Sequence, residues 1–414
     1  MILATDTDTT GTPSTVDPHD ERSGETSTLV RRLVFWQSTI SPHQAACIRS
    51  LAGLRPLETV YVAAAESLPD RRELGWDTPD MGNVRVVIAP DAGAVESLLC
   101  QAPDCTVHLV SGVSGLPYHQ ALAKARRRLG VHCGVIAEGG DPRGLKGAVR
   151  HARYRLLALR SLKAFDFLLA MGEAGVRWYQ RAGWARSSTY PFAYATDEPE
   201  DGEGSSEPGG VDTEVRILFA GQLVARKGLD IAIRALVALK GRDGWHLDVI
   251  GTGADRSSLE RLVGKADLAS RVSFLGALPR RDVRRHMGNA DLLVLPSRFD
   301  GWGAVVNEAL QEGTPVLCSN MCGAGVLLTE PVRGEVVPVG QVEHWARALE
   351  ARILQGRSTD ARRSEIRLWS QRALSGRAIG QYFLKVLDHA YGVERVCPRP
   401  PWCEDPGARA GESR

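Results

Sequence analysis

Residues 197–213 read DEPEDGEGSSEPGGVDT, an acidic run of glycine, serine and proline in which Val211 is the one large apolar side chain. Such a stretch buries too little surface to order itself and reads as a linker or long surface loop. The same rhythm stands on either side of it. Short β-branched runs alternate with longer helical patterns, the signature of parallel α/β architecture. Before the break, strands are predicted at 32–36, 59–63, 84–88, 106–110, 131–137 and 167–170, with helical patterns such as 42–52 and 115–129 between them. After it, strands are predicted at 216–220, 246–250, 272–275, 292–295, 316–318 and 335–338.

At 414 residues the chain is also long for a single core. The expectation is therefore two Rossmann-like, doubly wound domains, residues 28–196 and 214–370, joined by 197–213. A helix over 371–395 is expected to pack back on the first domain. Residues 1–27 and 396–414 read as disordered tails. Two such sheets face each other across a cleft between the carboxyl ends of their strands, where folds of this kind bind ligands.

A net charge of +2 gives no reason to expect a nucleic-acid partner, so any basic character that matters is local. No apolar run approaches the ~20 residues needed to span a bilayer. Residues 1–27 lack the basic start and apolar middle of a secretion signal, and a cytoplasmic location is the expectation. The eight cysteines form no C-x-x-C pair and suggest neither a disulfide framework nor a zinc site.

The most informative segment is LLVLPSRFDGWGAVVNEALQEGTPVLCS, residues 292–319. A buried strand runs into a loop carrying Asp300, Gly301, Trp302 and Gly303, and a helix follows from about Ala304 to Gly313. The glycines let backbone N–H groups approach a ligand at a helix start, whose dipole favours negative charge. Asp300 lies in the loop and Glu308 about one and a half turns into the helix. Two carboxylates so placed can accept hydrogen bonds from hydroxyls on different rings of one ligand.

Upstream, VRILFAGQLVARKGLDIAIRAL (215–236) is a strand, a glycine turn, a basic pair and a helix. Gly221 permits a tight turn, Arg226 and Lys227 offer positive charge to a diphosphate, and Gly228 opens the helix. Gly251 and Gly253 form a G-x-G turn after the next strand.

Together these segments resemble family 4 retaining glycosyltransferases of the GT-B fold. That family's signature reads E-G-F-G-x-x-x-x-E-A-x-x-x-G-x-P where this chain has D-G-W-G-A-V-V-N-E-A-L-Q-E-G-T-P. Its G-R-L-x-x-x-K-G pattern meets G-Q-L-V-A-R-K-G here, with Gln222 in the arginine position and Arg226 placed to compensate. Residues 271–279 (RVSFLGALP) resemble the strand and loop that contact the base. The likeness is specific over about 215–340 and looser over 30–195.

It implies transfer of a hexosyl group from a nucleotide-diphosphate sugar, with retention and no metal or other cofactor, most often in cell-surface polysaccharide or glycolipid assembly. It implies a donor site of Gly221, Gln222, Arg226, Lys227, Gly251, Gly253, Gly301, Trp302, Gly303 and Glu308. Asp300, Glu308, Lys227 and Glu138 form the expected catalytic set. A nucleotide-sugar epimerase on the same fold and a non-catalytic nucleotide-sugar scaffold are the alternatives.

The acceptor half departs from the family. Its first loop, residues 37–43 (QSTISPH), has no glycine, and Glu138 stands where a strand-end histidine is expected. Glu138 either positions a donor hydroxyl or the acceptor, or is a helix-start acid without a role. His43 either touches the acceptor or caps and packs. Basic residues crowd 124–163 (Lys124, Arg126, Arg127, Arg128, Arg143, Lys146, Arg150, Arg153, Arg155, Arg160 and Lys163), against Glu138 and Asp141. This region is either a peripheral membrane contact serving a lipid-linked acceptor or a solvated helix face.

Overall fold

The computed structural model describes residues 30–66, 78–115, 117–161, 164–198 and 214–403. The expected tail over 1–27 lies outside these residues, as do 199–213 of the expected linker. All strand pairs are parallel and fall into two sheets.

The first sheet has the order β3-β2-β1-β4-β5-β6-β7. Its strands are β1 (Arg32–Gln37), β2 (Glu58–Ala63), β3 (Arg85–Ile88), β4 (Thr106–Ser111), β5 (His132–Ala137), β6 (Phe167–Met171) and β7 (Thr189–Phe192). The second has the order β10-β9-β8-β11-β12-β13. It comprises β8 (Val215–Ala220), β9 (Trp245–Ile250), β10 (Val272–Gly276), β11 (Leu292–Leu295), β12 (Val316–Ser319) and β13 (Gly334–Val337). Each order reverses once, between β1 and β4 and between β8 and β11, and loops diverging at such a point open a crevice for ligands.

The sequence pattern misses β7. Its TYPF run is short and carries Pro191, which argues against a strand. β7 lies at the sheet edge, where a missing backbone N–H is tolerated. The remaining predicted strands are present within a residue or two of their expected ends.

The expected boundary at 370/371 falls inside the helix Asp360–Leu374. That helix stays with the second domain, where Arg363 pairs with the buried Asp291 at 3.0 Å. Ser375 ends it and caps the next helix, Gly376–Ala390, by accepting from the Ala378 amide. This last helix crosses to the first domain and lies along the helix Pro42–Leu54. Arg55 pairs with Asp388, and Tyr382 donates to the Pro191 carbonyl at 2.8 Å.

The tail expected from 396 is not free over its first residues. Trp402 is buried, with its ring 6.4 Å from Trp302 and 6.0 Å from Tyr382. Burying an indole outweighs the Pro-rich, charged character of the residues around it. The other end of the linker is fixed too. Asp197 accepts from Arg49 of the first domain at 2.6 Å and from Arg280 of the second at 3.0 Å.

Candidate functional site

The loops leaving β8 and β11 are bound to each other before any ligand is considered. The Arg298 amide donates to the Arg226 carbonyl at 2.7 Å. Its guanidinium grips both oxygens of Asp230 at 2.7 and 2.8 Å and the Ala225 carbonyl at 2.8 Å. That fork holds the Asp230 carboxyl below the usual carboxylate range.

On this frame Lys227, at the end of a turn of 3-10 helix, donates through Nζ to Asp300 Oδ2 at 2.5 Å. Both side chains are largely enclosed, 15% and 11% exposed, so the contact is shielded from bulk water. Arg226 donates to the Phe299 carbonyl at 3.1 Å, and its Nη1 lies 3.9 Å from Asp300 Oδ1. The basic pair and the loop acid, separated by about seventy residues in sequence, thus form one cluster at the switch point.

Gly303, at φ 92°, opens the helix Ala304–Gln311, whose first amides have no partner within the helix. Glu308 stands on this helix, half-buried, and its carboxylate has no hydrogen bond or ion pair among the described residues. Burial raises its carboxyl above the ordinary range, and the nearby Arg280 and Arg284 charges act against that shift. A carboxylate held in protein without a partner is poised to accept hydrogen bonds from something else.

Glu138 reaches the cluster from the other domain. It extends from the end of β5 and is open to solvent on the cleft side. Tyr194 donates to its Oε1 at 2.7 Å. The approach to Gly301 is so close that a β-carbon there would lie 2.1 Å from Glu138 Oε2, so any larger residue would push the Glu138 carboxyl from this position. Cleft groups that displace part of its water raise the Glu138 carboxyl; the Tyr194 hydroxyl opposes this, Asp300 adds to it, and Arg226 and Lys227 oppose it. Glu138, Asp300, Lys227 and Arg226 therefore share one electrostatic environment across the cleft.

Three of the expected donor residues are engaged within the protein itself. The Trp302 indole is fully buried and donates to Asn307 Oδ1 at 2.8 Å, while Asn307 donates to the Tyr194 carbonyl at 2.9 Å. This side chain fastens the loop to the domain crossing, and its carbonyl accepts from the Ala324 amide at 2.8 Å. Gly251 and Gly253 seat one loop on another: β-carbons there would lie 2.0 Å from the Gly221 carbonyl and 2.3 Å from that of Leu223. The amides of Gly221 and Gly251 are already taken by Ile250 and Gly276, at 3.0 and 2.7 Å. Gln222 is exposed beside them.

His43 lies outside the cluster, its ring 5.5 Å from that of Tyr194, and its carbonyl accepts from Ala195 at 3.1 Å. Among the described residues no three His, Cys, Asp or Glu side chains gather as a metal site. Sequence reasoning missed Tyr194, Arg298, Asn307 and Cys322, whose Sγ contacts the Trp302 carbonyl at 2.9 Å. Arg298 alone had a local signal, as a cation inside the loop that carries Asp300.

Residues 205–367, which carry this cluster apart from Glu138 and Tyr194, match the family model of glycosyl transferases group 1. Among curated relatives, the alpha-D-kanosaminyltransferase of Streptomyces kanamyceticus is 27% identical over 59% of this chain and 63% of its own length. An amylovoran biosynthesis glycosyltransferase of Erwinia amylovora is 31% identical over 34% of this chain and 36% of its own. The chain thus spans less than two thirds of the length of these relatives. Among solved structures, Anabaena HepE in complex with UDP superposes with a TM-score of 0.66 at 17% identity, covering 86% of this chain and 99% of that one. The superposition establishes two Rossmann-like domains in the GT-B arrangement, and residues 205–367 carry the sequence pattern of the glycosyl transferases group 1 model.

Proposed function

We propose that this chain is a retaining, metal-independent glycosyltransferase that moves a hexosyl group from a nucleotide-diphosphate sugar to a sugar- or lipid-linked acceptor, in cell-surface polysaccharide or glycolipid assembly. The observation that carries the reading is the Lys227–Asp300 contact at the β8/β11 switch point, with the unpartnered Glu308 one helix turn beyond. Lys227, Arg226 and the first amides of the helix Ala304–Gln311 supply positive potential for a diphosphate without a metal. Glu308 suits vicinal hydroxyls such as those of a ribose, and Asp300 suits a hydroxyl of the transferred sugar.

In the step proposed, the bond between the sugar's anomeric carbon and the leaving phosphate oxygen breaks. The acceptor oxygen bonds to that carbon on the same face, and its proton passes to the leaving phosphate. Preorganised cations beside the phosphate stabilise the charge that develops there. Glu138 faces the same point from the acceptor domain, with its carboxyl oriented by Tyr194.

The test is a proton NMR assay with UDP-glucose and related donors, with and without EDTA. UDP comes first because the Anabaena structure of matching fold holds it. Release of nucleoside diphosphate with a product of unchanged anomeric configuration, insensitive to EDTA, is expected. An inverted product, or a donor epimerised with no diphosphate released, would replace this reading.

A further inference from the structure

The helix Gly144–Ser161 begins six residues after Glu138 and carries two opposite faces. Its inner face is fixed to the first domain: the His151 and Tyr154 rings meet Trp178 edge-on at 5.2 and 5.4 Å, and Ala158 is buried. Its outer face presents Leu145, Val149, Leu156 and Leu159, which are 87%, 71%, 58% and 77% exposed. At 100° per residue these four fall within a narrow stripe. They are four of the eleven large apolar side chains exposed among the described residues, so the apolar exposure is concentrated on one element.

The stripe is edged with cations. Lys146 and Arg153 lie along one side of it and Arg155 along the other, and the helix holds no acidic residue. Lys146, Arg150 and Arg153 also line a recess of about 370 Å³ with Ser114, Val149 and Tyr154. Ser114 belongs to the loop beyond β4, so the recess opens toward the carboxyl edge of the first sheet.

We propose that this face is a docking surface for an anionic lipid bilayer, which it meets lying in the interface. An apolar stripe between two cationic borders is the complement of a surface whose acyl interior lies just below negative headgroups. No described helix is long and apolar enough to cross a membrane, which fits a surface-bound element rather than a span. The arrangement brings the opening beside Glu138 near the bilayer, where a lipid-linked acceptor presents its headgroup. In that detail the inference rests on the transferase reading, but the docking surface itself does not.

The experiment is flotation of the full chain with vesicles of phosphatidylcholine alone or with roughly 30 mol% phosphatidylglycerol, an anionic content in the range of natural leaflets. Three variants are compared: Leu156→Glu/Leu159→Glu, Lys146→Glu/Arg153→Glu and Leu354→Glu, on the helix Val342–Gln355 of the second domain. The last removes an exposed leucine elsewhere and controls for added charge. Circular dichroism and UDP-induced thermal shift confirm that each variant folds and keeps its donor half.

The wild type and Leu354→Glu are expected to bind anionic vesicles only, more weakly at high salt. Both double variants should bind at least about tenfold less. Equal binding by the Leu156/Leu159 variant, or no binding by the wild type, overturns the proposal. So does a concentration-dependent dimer that the same substitution dissolves, because the stripe would then cover a second copy.

Discussion

Lys227 Nζ lies 2.5 Å from Asp300 Oδ2, so the cation assigned to the donor's diphosphate is already paired with the acid assigned to its sugar. A diphosphate entering the site meets a lysine whose charge is partly offset. Asp300→Asn removes that competition and keeps the shape of the loop. Nucleoside diphosphate affinity should hold or rise a few fold, while the rate of sugar transfer falls about 10²-fold or more. Calorimetric titration beside a transfer assay separates the two, and a parallel loss of both would assign Asp300 to diphosphate binding.

Glu308 gives a prediction in which stability and function oppose each other. Its carboxyl is raised in the folded chain by burial, so the native state holds the proton more tightly than the unfolded state. The stabilising contribution is therefore present below the ordinary carboxyl value of 4.5 and is lost as pH rises through the elevated one. Glu308→Gln should melt higher than wild type at pH 7.5, and the difference should shrink toward pH 4.5. Its affinity for nucleoside diphosphate should fall. A variant that melts lower at neutral pH would mean that Glu308 is held by a favourable partner.

His108, inside the first domain, sets the opposite slope. It is fully buried, with Nδ1 accepting from Trp36 Nε1 at 3.2 Å. Burial, aided by the Arg32 and His132 charges, lowers its pKa from 6.5 to about 3. The unfolded chain takes up a proton that the native chain refuses, so stability falls as pH drops from about 6.5 toward 3. A single such group contributes roughly 1.4 kcal/mol per pH unit inside that window. Urea titrations of wild type and His108→Gln at pH 7 and 5 should differ in this slope. Identical slopes would show that His108 titrates normally.

Trp302 distinguishes a packing role from a ligand role. Trp302→Ala should cost about 3–5 kcal/mol, the range for a fully buried aromatic. Trp302→Phe, which loses the bond to Asn307 but fills most of the space, should cost far less and leave nucleotide affinity within a few fold. Binding lost in the phenylalanine variant, with stability intact, would place the indole against the ligand after all.

Both sheets were readable because a buried parallel strand is a short β-branched run between helical periods, and the chain repeats that pattern on each side of 197–213. β7 escaped because Pro191 obeys an edge-strand rule that only the sheet order reveals. Asp300, Glu308 and Lys227 were legible because the glycines around them mark loops at strand ends. Their mutual geometry was not, since pairing Lys227 with Asp300 requires three crossovers to bring β11 back beside β8. Tyr194 gave no sign at all: it follows β7 in an irregular segment and acquires its role through Glu138, 56 positions away. The direction of the Trp302 side chain was not legible, because a motif fixes where the backbone goes, not which way a large aromatic turns. Trp402 was missed because a single buried indole overrides the composition around it.

At the centre stands the proposed nucleotide-diphosphate site formed by the β8 and β11 loops. Thermal unfolding of the full chain with UDP, GDP, ADP, CDP and TDP, beside Lys227→Ala/Glu308→Ala, tests it most directly. A nucleotide at ~100 times its dissociation constant should add about 2.7 kcal/mol of stability. At least one should raise the midpoint, EDTA should leave the shift intact and the double variant should lose it. No shift with any of the five, or a shift that the double variant keeps, would contradict it.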